Sequence, residues 1–284
     1  MDLLDQMRTF VRIVDGGSLS SAARGRRMSV AAVSRQLAAL EAELAAPLIA
    51  RSTRRREVPP RGRRWYEHCV RLLRELEAAR DDVAESPEPR GTVTVSAPVA
   101  LGIVYVVPRL ERLARKYRRL ELELRLEDHL VDLVGEAVDL ALRIGPARPD
   151  STAIVARPVF EFRRQAVASR AYLRRRGTPR HPRELAQHDG LIQLGAAPWR
   201  FVQGDEVHEL AAPARLRSSA PIALRDWALA GAGIAFLPAW LVSDTDLVTV
   251  LPGWSTPAVH VWALQRVAQR AATRVRAVLD ALGA

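Results

Sequence analysis

The sequence predicts an α/β chain in three parts: an all-α N-terminal domain, one long linking helix, and a C-terminal α/β domain of two lobes. Three observations predict it. Residues 2–44 carry three short apolar patterns of helical period, residues 65–83 carry one long pattern with charged flanks, and from residue 92 strand-like and helix-like patterns alternate.

The first helix is expected over 2–15, capped by Asp2, with Leu3, Met7, Phe10 and Val14 on one face and Gly16-Gly17 as its stop. Ser18 is placed to cap a second helix bearing Leu19, Ala22 and Ala23. Ser29 is placed to cap a third, with Val33, Leu37, Leu40 and Leu44 buried at spacings of 4, 3 and 4. The arginine-rich stretch "RSTRRR" and Pro59-Pro60 follow. Three short helices and a hairpin-like basic stretch make a helix-turn-helix with a wing, over residues 1–60.

Charge is distributed in the same three parts. The chain holds 43 basic and 32 acidic side chains, a net +11, and 42 of the basic ones are arginine. That bias fits a GC-rich genome as well as phosphate binding, so where the charge sits is more informative. Residues 1–64 hold 13 arginines against six acids, while residues 65–90 hold four against seven. Positive charge is therefore densest where the three helices lie, which favours an anionic partner there.

If Val33, Leu37, Leu40 and Leu44 face the core, then Val30, Ala31, Ser34, Arg35 and Ala38 face outward. Small residues and a hydroxyl let this helix sit deep in a DNA major groove, and Arg35 is long enough to reach a guanine edge or a phosphate. The helix start at Ser29 favours a phosphate, and the wing would grip the flanking backbone in a salt-sensitive way. The expected DNA contacts are Ser29, Val30, Ala31, Ser34, Arg35 and Gln36, with Arg51, Ser52, Thr53, Arg54 and Arg55 of the wing.

The linking helix is expected over 61–88. Trp65, Cys69, Leu72, Leu76, Ala79 and Val83 alternate spacings of 4 and 3, a heptad seam that needs a partner surface. A homodimer through this seam is therefore expected. "ESPEPRG" then breaks the helix.

The remaining part, 89–284, opens with the strand "TVTVSA" and a helix over 98–119 entered through Pro98. "LELELRLE" reads as a strand, "LVDLVGEAV" as a short helix and "DLALRIG" as a strand. After "RPVFEFRRQAVAS" come a helix near 171–176, further strands, the helix "IALRDWALAGAG", the strands "IAFLP", "LVTVL" and "AVHVWAL", and a closing helix "TRVRAVLDALG". This alternation predicts largely parallel sheets. The length is generous for one sheet, so two lobes with a cleft are expected, lobe I over about 92–160 and 266–284 and lobe II over about 161–265.

Several function classes are disfavoured. The lone Cys69 makes no internal disulfide, and with no cysteine cluster and no metal spacing among His68, His129, His181, His188, His208 and His260, no metal is expected. His181 and His188, seven apart in "HPRELAQH", read as a solvated helix. No G-x-S-x-G elbow or phosphate-binding glycine loop is present, so no enzyme is expected. No apolar run approaches a membrane span, and "MDLLDQMRTF" lacks a signal-peptide layout, which predicts a cytoplasmic protein. A solute-binding protein fits 92–284 but leaves the first 60 residues unexplained. A chromatin-like architectural protein fits the charge but has no use for a cleft.

"MRTFVRIVDGGSLSSAARGRRMSVAAVSRQLAALEAELAAPLIARSTRRR" resembles the DNA-binding domain of LysR-type transcriptional regulators. The resemblance continues through "VDLVGEAVDLALRIG", "VASRAYLRRRGTPRHPRELAQHD" and "LRDWALAGAGIAFLP". It implies a winged helix-turn-helix, a dimerising linker helix, a two-lobed effector domain resembling periplasmic binding proteins, and control of promoter DNA by a small molecule in the cleft. It also implies assembly to homotetramers and admits RNA polymerase as a partner. No cofactor is implied.

The resemblance points to Ser96, Ala97, Pro98 and Val99 after the first effector-domain strand, where backbone amides and a hydroxyl suit a carboxylate. Arg143, Ile144 and Gly145 would face them, and Ser218, Ser219, Phe236 and Pro238 would stand across the cleft, with Trp199 beside them. Departures are plain. Arg26-Arg27 stand where the family usually has Leu-Gly, Val30-Ala31 where it often has Gln-Pro, and Pro59-Pro60-Arg61-Gly62 where Thr-Glu-Ala-Gly usually opens the linker helix. The stretch between Pro238 and Leu251 is also short.

Overall fold

The computed structural model describes residues 2–50, 58–83, 88–129, 132, 133, 136, 138–146, 153–210, 212–267 and 272–284. The chain splits into two compact units, one of residues 1–87 with 132–137 and 271–273, the other of the remainder.

In the first unit, α1 (Leu3–Gly16), α2 (Leu19–Arg26) and α3 (Val30–Glu43) each begin where a short polar side chain accepts an orphan amide. Asp2 accepts from Leu4, Ser18 from Ser21, and Ser29 from Ala32. Gly17 ends α1 at φ 65°, and Arg27 ends α2 at φ 52°. The left-handed conformation suits glycine far better than arginine, so the family's usual glycine is replaced here at a cost in backbone strain. Met7, Phe10, Ile13, Ala22, Ala23, Val33 and Leu40 form the core. Leu3, expected inside, is 38% exposed, while Gln6, Thr9 and Ile13 are buried alongside Met7 and Phe10.

Helix α4 (Pro60–Val83) starts on a proline, which suits a first helical turn because that amide has no partner to lose. Its buried side is rotated by about one residue from the expected seam. Cys69 and Leu73 lie in the same core as α1–α3, with Trp65 and Tyr66 packed against it, while Leu72 is 45% exposed. Gly62 makes this packing possible, since a Cβ there would stand 2.2 Å from the Leu48 carbonyl oxygen.

The second unit runs β1 (Gly91–Ala97), α5 (Val99–Leu101), a π turn (Gly102–Val106), α6 (Val107–Lys116), β2 (Leu120–Leu126), β3 (Leu140–Ile144) and β4 (Ile154–Ala168). It continues with α7 (Arg170–Arg176), a 3-10 turn (Pro182–Gln187), β5 (Gly190–Gln193), β6 (Trp199–Gln203), β7 (Glu206–Leu210) and β8 (Ala214–Ser218). Last come α8 (Pro221–Leu229), β9 (Ile234–Pro238), α9 (Ala239–Val242), β10 (Val248–Val250), β11 (Ala258–Arg266) and α10 (Thr273–Leu282). The expected helix "LVDLVGEAV" falls largely outside the described residues.

The strands order as β2-β1-β3-β11-β4-β9-β5-β8, with β10 also on β4. Within this path β1 pairs parallel with β2 and β3, and β5 pairs parallel with β8 and β9. The sheets are less parallel than expected, because β11 runs antiparallel to β3 and β4, and β4 antiparallel to β9 and β10. The reason is β4, which serves both lobes: residues up to Arg163 pair with β11, and from Arg164 onward with β9 and β10. The expected return boundary at 265 falls near the end of β11, which pairs along its length with lobe I strands. The chain returns parallel from β1 to β2 through α5 and α6, whereas the connection between the parallel pair β5 and β8 carries the β6–β7 hairpin.

"HPRELAQH" is not a solvated helix. It forms the 3-10 turn, and His188 at its end is 8% exposed. Its Nδ1 lies 3.2 Å from the Tyr172 hydroxyl, which accepts the Asp189 amide at 2.9 Å. Burial, reinforced by the nearby Arg176 charge, pushes the His188 pKa below its ordinary 6.5. The unfolded chain therefore binds a proton more readily than the native one. Its stabilising effect is complete above about pH 6.5 and is lost as pH falls through that value toward the native pKa. Urea midpoints at pH 7.5 and 5.5 should fall more for the natural chain than for His188→Asn; equal falls would show that His188 does not set this acid limb.

Candidate functional site

Helix α3 presents the expected outward face. Val30 is 46% exposed, and Ala31, Ser34, Arg35 and Ala38 are also on the surface. Ser29 is exposed, but its hydroxyl is engaged in capping the helix.

Gln36 requires a correction. It is 4% exposed and cannot meet DNA. Its Nε2 donates to Asp5 Oδ2 at 2.7 Å, and its Oε1 accepts from the Thr9 hydroxyl. Arg26 completes the network, donating to Asp5 Oδ1 at 2.5 Å, to the Asp5 carbonyl at 2.7 Å and to Thr9 Oγ1 at 2.5 Å. The Arg26 hydrogen bond holds the Asp5 carboxyl below its ordinary pKa, with Gln36 assisting against partial burial. The network ties α3 to α1 and α2, so Gln36 holds the exposed face of α3 in place from behind it. The signal was in the sequence: Val33, Gln36 and Leu40 share one stripe, and Arg26 stands where the family carries an apolar residue. Arg51, Ser52, Thr53, Arg54 and Arg55 lie outside the described residues.

The expected dimer seam divides. Cys69 is fully buried in its own domain, where burial raises its thiol pKa to about 12, and Trp65 packs on the same core. Leu72, Leu76 and Ala79 remain wholly or partly exposed, while the Val83 side chain lies outside the described residues.

The residues expected to meet the effector gather in two groups. Ser96 is fully buried at the end of β1, where its hydroxyl donates to Glu127 at 3.2 Å and accepts from Arg143 at 3.3 Å. Ala97 is buried, Pro98 half-buried, and the Val99 amide donates to Asp128 Oδ1 at 3.1 Å. The expected carboxylate would therefore meet two carboxylates beside one guanidinium. Ile144 is 37% exposed, and Gly145, at φ 123°, accepts from the Trp262 indole at 2.8 Å.

In lobe II, Ser218 pairs with Gln193 at the C-terminal ends of β8 and β5, and its hydroxyl accepts from Ala220. Ser219 is exposed, and Pro238 is buried where β9 turns into α9. Trp199 and Phe236 need correction as cleft walls. They are 5% and 9% exposed and stack at 5.3 Å between ring centroids inside the lobe II core. Sequence reasoning missed the aromatic row Tyr105, Phe160, Phe162 and Trp240, whose rings follow at 4.4, 6.2 and 5.9 Å beside the point where β4 changes partners. "FEF" in β4 was its signal. Val104 packs on the cluster of Leu224, Ala235 and Leu237.

β1 lies between its parallel neighbours β2 and β3, and β5 between its parallel neighbours β9 and β8, so at each of these strands the chain leaves in opposite directions across the sheet. The C-terminal ends of β1 and β5 are therefore topological switch points, where open α/β sheets place ligands.

Residues 4–63 match the family model "Bacterial regulatory helix-turn-helix protein, lysR family", and residues 86–284 match "LysR substrate binding domain". An HTH-type transcriptional regulator of Xanthomonas campestris is 33% identical, the match spanning 99% of this chain and 84% of that protein. The HTH-type transcriptional regulator PtxR of Pseudomonas aeruginosa is 31% identical over 98% of this chain and 91% of its own. Among solved structures, the full-length Vibrio cholerae virulence activator AphB is 27% identical with a TM-score of 0.61, covering 99% and 98% of the two chains. CrgA of Neisseria meningitidis is 26% identical with a TM-score of 0.62, covering 99% of each. No described helix is long and apolar enough to cross a membrane. With both parts matched and their order preserved, the chain belongs to the LysR family of bacterial transcriptional regulators.

Proposed function

We propose that this regulator reads operator DNA through the exposed face of α3, with Arg35 as its base-reading side chain and residues 51–55 on the flanking phosphates. The observation that carries the reading is the sorting of α3: small residues and Arg35 point out, and the one long amide, Gln36, points in. A homodimer through Leu72, Leu76 and Ala79, with further pairing to a homotetramer, would match two half-sites. The similarity to named regulators supports a regulatory role over a catalytic one, in the cytoplasm, with RNA polymerase as a downstream partner.

The effector is proposed to bind between the lobes, at the ends of β1 and β5, near Ser96, Arg143 and Ser218. Glu127 on the Ser96 hydroxyl and Asp128 on the Val99 amide favour a polar ligand that donates hydrogen bonds over a free carboxylate.

Arg35→Ala should reduce operator binding by about 1–3 kcal/mol, roughly 5- to 150-fold, and leave random-DNA binding nearly unchanged. Gel shifts on promoter and shuffled fragments at one salt concentration measure both. An unchanged operator-to-random ratio would remove the base-reading role from Arg35.

A further inference from the structure

The second unit holds a side-chain cluster that neither the DNA face nor the effector reading uses. His181 stands at the entrance of the 3-10 turn, and Glu206 and His208 lie two apart on β7, hence on one face of that strand. His181 Nε2 is 3.4 Å and His208 Nε2 2.7 Å from Glu206 Oε1, and the three donor atoms all fall within 4.8 Å of one another.

We propose that His181, Glu206 and His208 form a three-ligand site for a zinc-class divalent ion, with water as the fourth ligand. Zinc bonds to imidazole nitrogen and carboxylate oxygen are about 2.0–2.2 Å, so tetrahedral ligands sit about 3.3 Å apart. The observed separations bracket that value, and small rotamer shifts close the site. Two imidazoles with one carboxylate suit a borderline ion such as zinc and suit magnesium or calcium poorly. Trp254 sets its ring edge-on against both imidazoles, 5.2 Å from His181 and 5.3 Å from His208, which limits how far either ring can turn. The Glu206 side chain is 52% exposed and that of His208 12%, so an ion can enter from water while one ligand is already held by packing.

Protons and hydrogen bonds must rearrange. His181 Nδ1 now accepts the Arg183 amide at 3.2 Å, which leaves Nε2 as the protonated nitrogen of the neutral ring. With Nε2 on the metal, the proton sits on Nδ1, and the Arg183 amide must turn to water. Bound, the ion would pin the β6–β7 hairpin, a separate two-stranded sheet, to the chain entering the 3-10 turn.

The test is calorimetric titration of zinc chloride into the tag-free full chain, repeated with magnesium. The expected result is saturable 1:1 uptake of zinc alone, at least about tenfold weaker in His208→Ala and Glu206→Gln, comparable to losses from disturbed metal shells. His129→Ala is the control, because His129 pairs with Glu127 elsewhere on the surface, at 3.4 Å. Should His208→Ala lose its fold by circular dichroism, Glu206→Gln at its exposed position carries the test. No saturable uptake, uptake in both variants as tight as in the natural chain, or a loss seen only in His129→Ala would overturn the site.

Discussion

Phe236→Ala is expected to destabilise the effector-binding part by about 3–5 kcal/mol, the usual cost of emptying an aromatic site in a packed core. Phe236 is 9% exposed in β9, stacked on Trp199 and tilted against Phe201 with ring centroids 5.4 Å apart. Tyr172, Leu185, Ile234 and Val250 belong to the same cluster. Truncation leaves a cavity that this many fixed neighbours cannot collapse into. Urea unfolding followed by circular dichroism reads the loss, with two transitions allowed for because the chain has two compact units. A cost below about 1 kcal/mol together with a lost effector response would return Phe236 to the cleft wall.

That substitution also separates what patterns in one dimension can and cannot resolve. The three N-terminal helices were legible because their starts are written locally: Asp2, Ser18 and Ser29 each cap the helix expected of them, and Gly17 takes the left-handed stop. Local chemistry decides such ends. The α4 seam was legible as apolar but misplaced in angle. Leu72 and Leu73 are adjacent, a heptad template accepts either, and the packing of α4 on α1–α3 is what places Leu73 in the core and leaves Leu72 outside.

Polar and aromatic residues were harder for a related reason. Gln36 reads as a surface residue until Asp5, Thr9 and Arg26 are brought around it from two other helices. Phe236 and Trp199 read as ligand walls by resemblance, whereas their burial depends on β6 folding back as a hairpin beside β9. The antiparallel run of β4 and β11 is likewise a tertiary fact: both strands alternate like any others, and nothing in that alternation gives direction. His181 and His208 are 27 positions apart, so no ligand spacing in the sequence could pair them.

Leu76→Glu is expected to convert the proposed dimer to monomers while leaving each monomer folded. The division of α4 is what makes the two effects separable. Cys69 and Leu73 hold the helix to its own domain, whereas Leu72 is 45% exposed and Leu76 only half-buried, four residues apart on the free side. A glutamate on that side of a lone chain stays in water and costs little. In a two-fold interface the same substitution occurs twice, placing two like charges where apolar surface is buried. An increase of at least about 3 kcal/mol, more than a hundredfold in the dimer dissociation constant, is expected. Sedimentation velocity across a concentration series measures it, and circular dichroism checks the fold. Operator affinity should fall with dimerisation, since each monomer then holds one half-site alone. A Leu76→Glu chain that sediments as a stable dimer would move the interface off α4, and an unfolded one would mean that the free side of the helix is core after all.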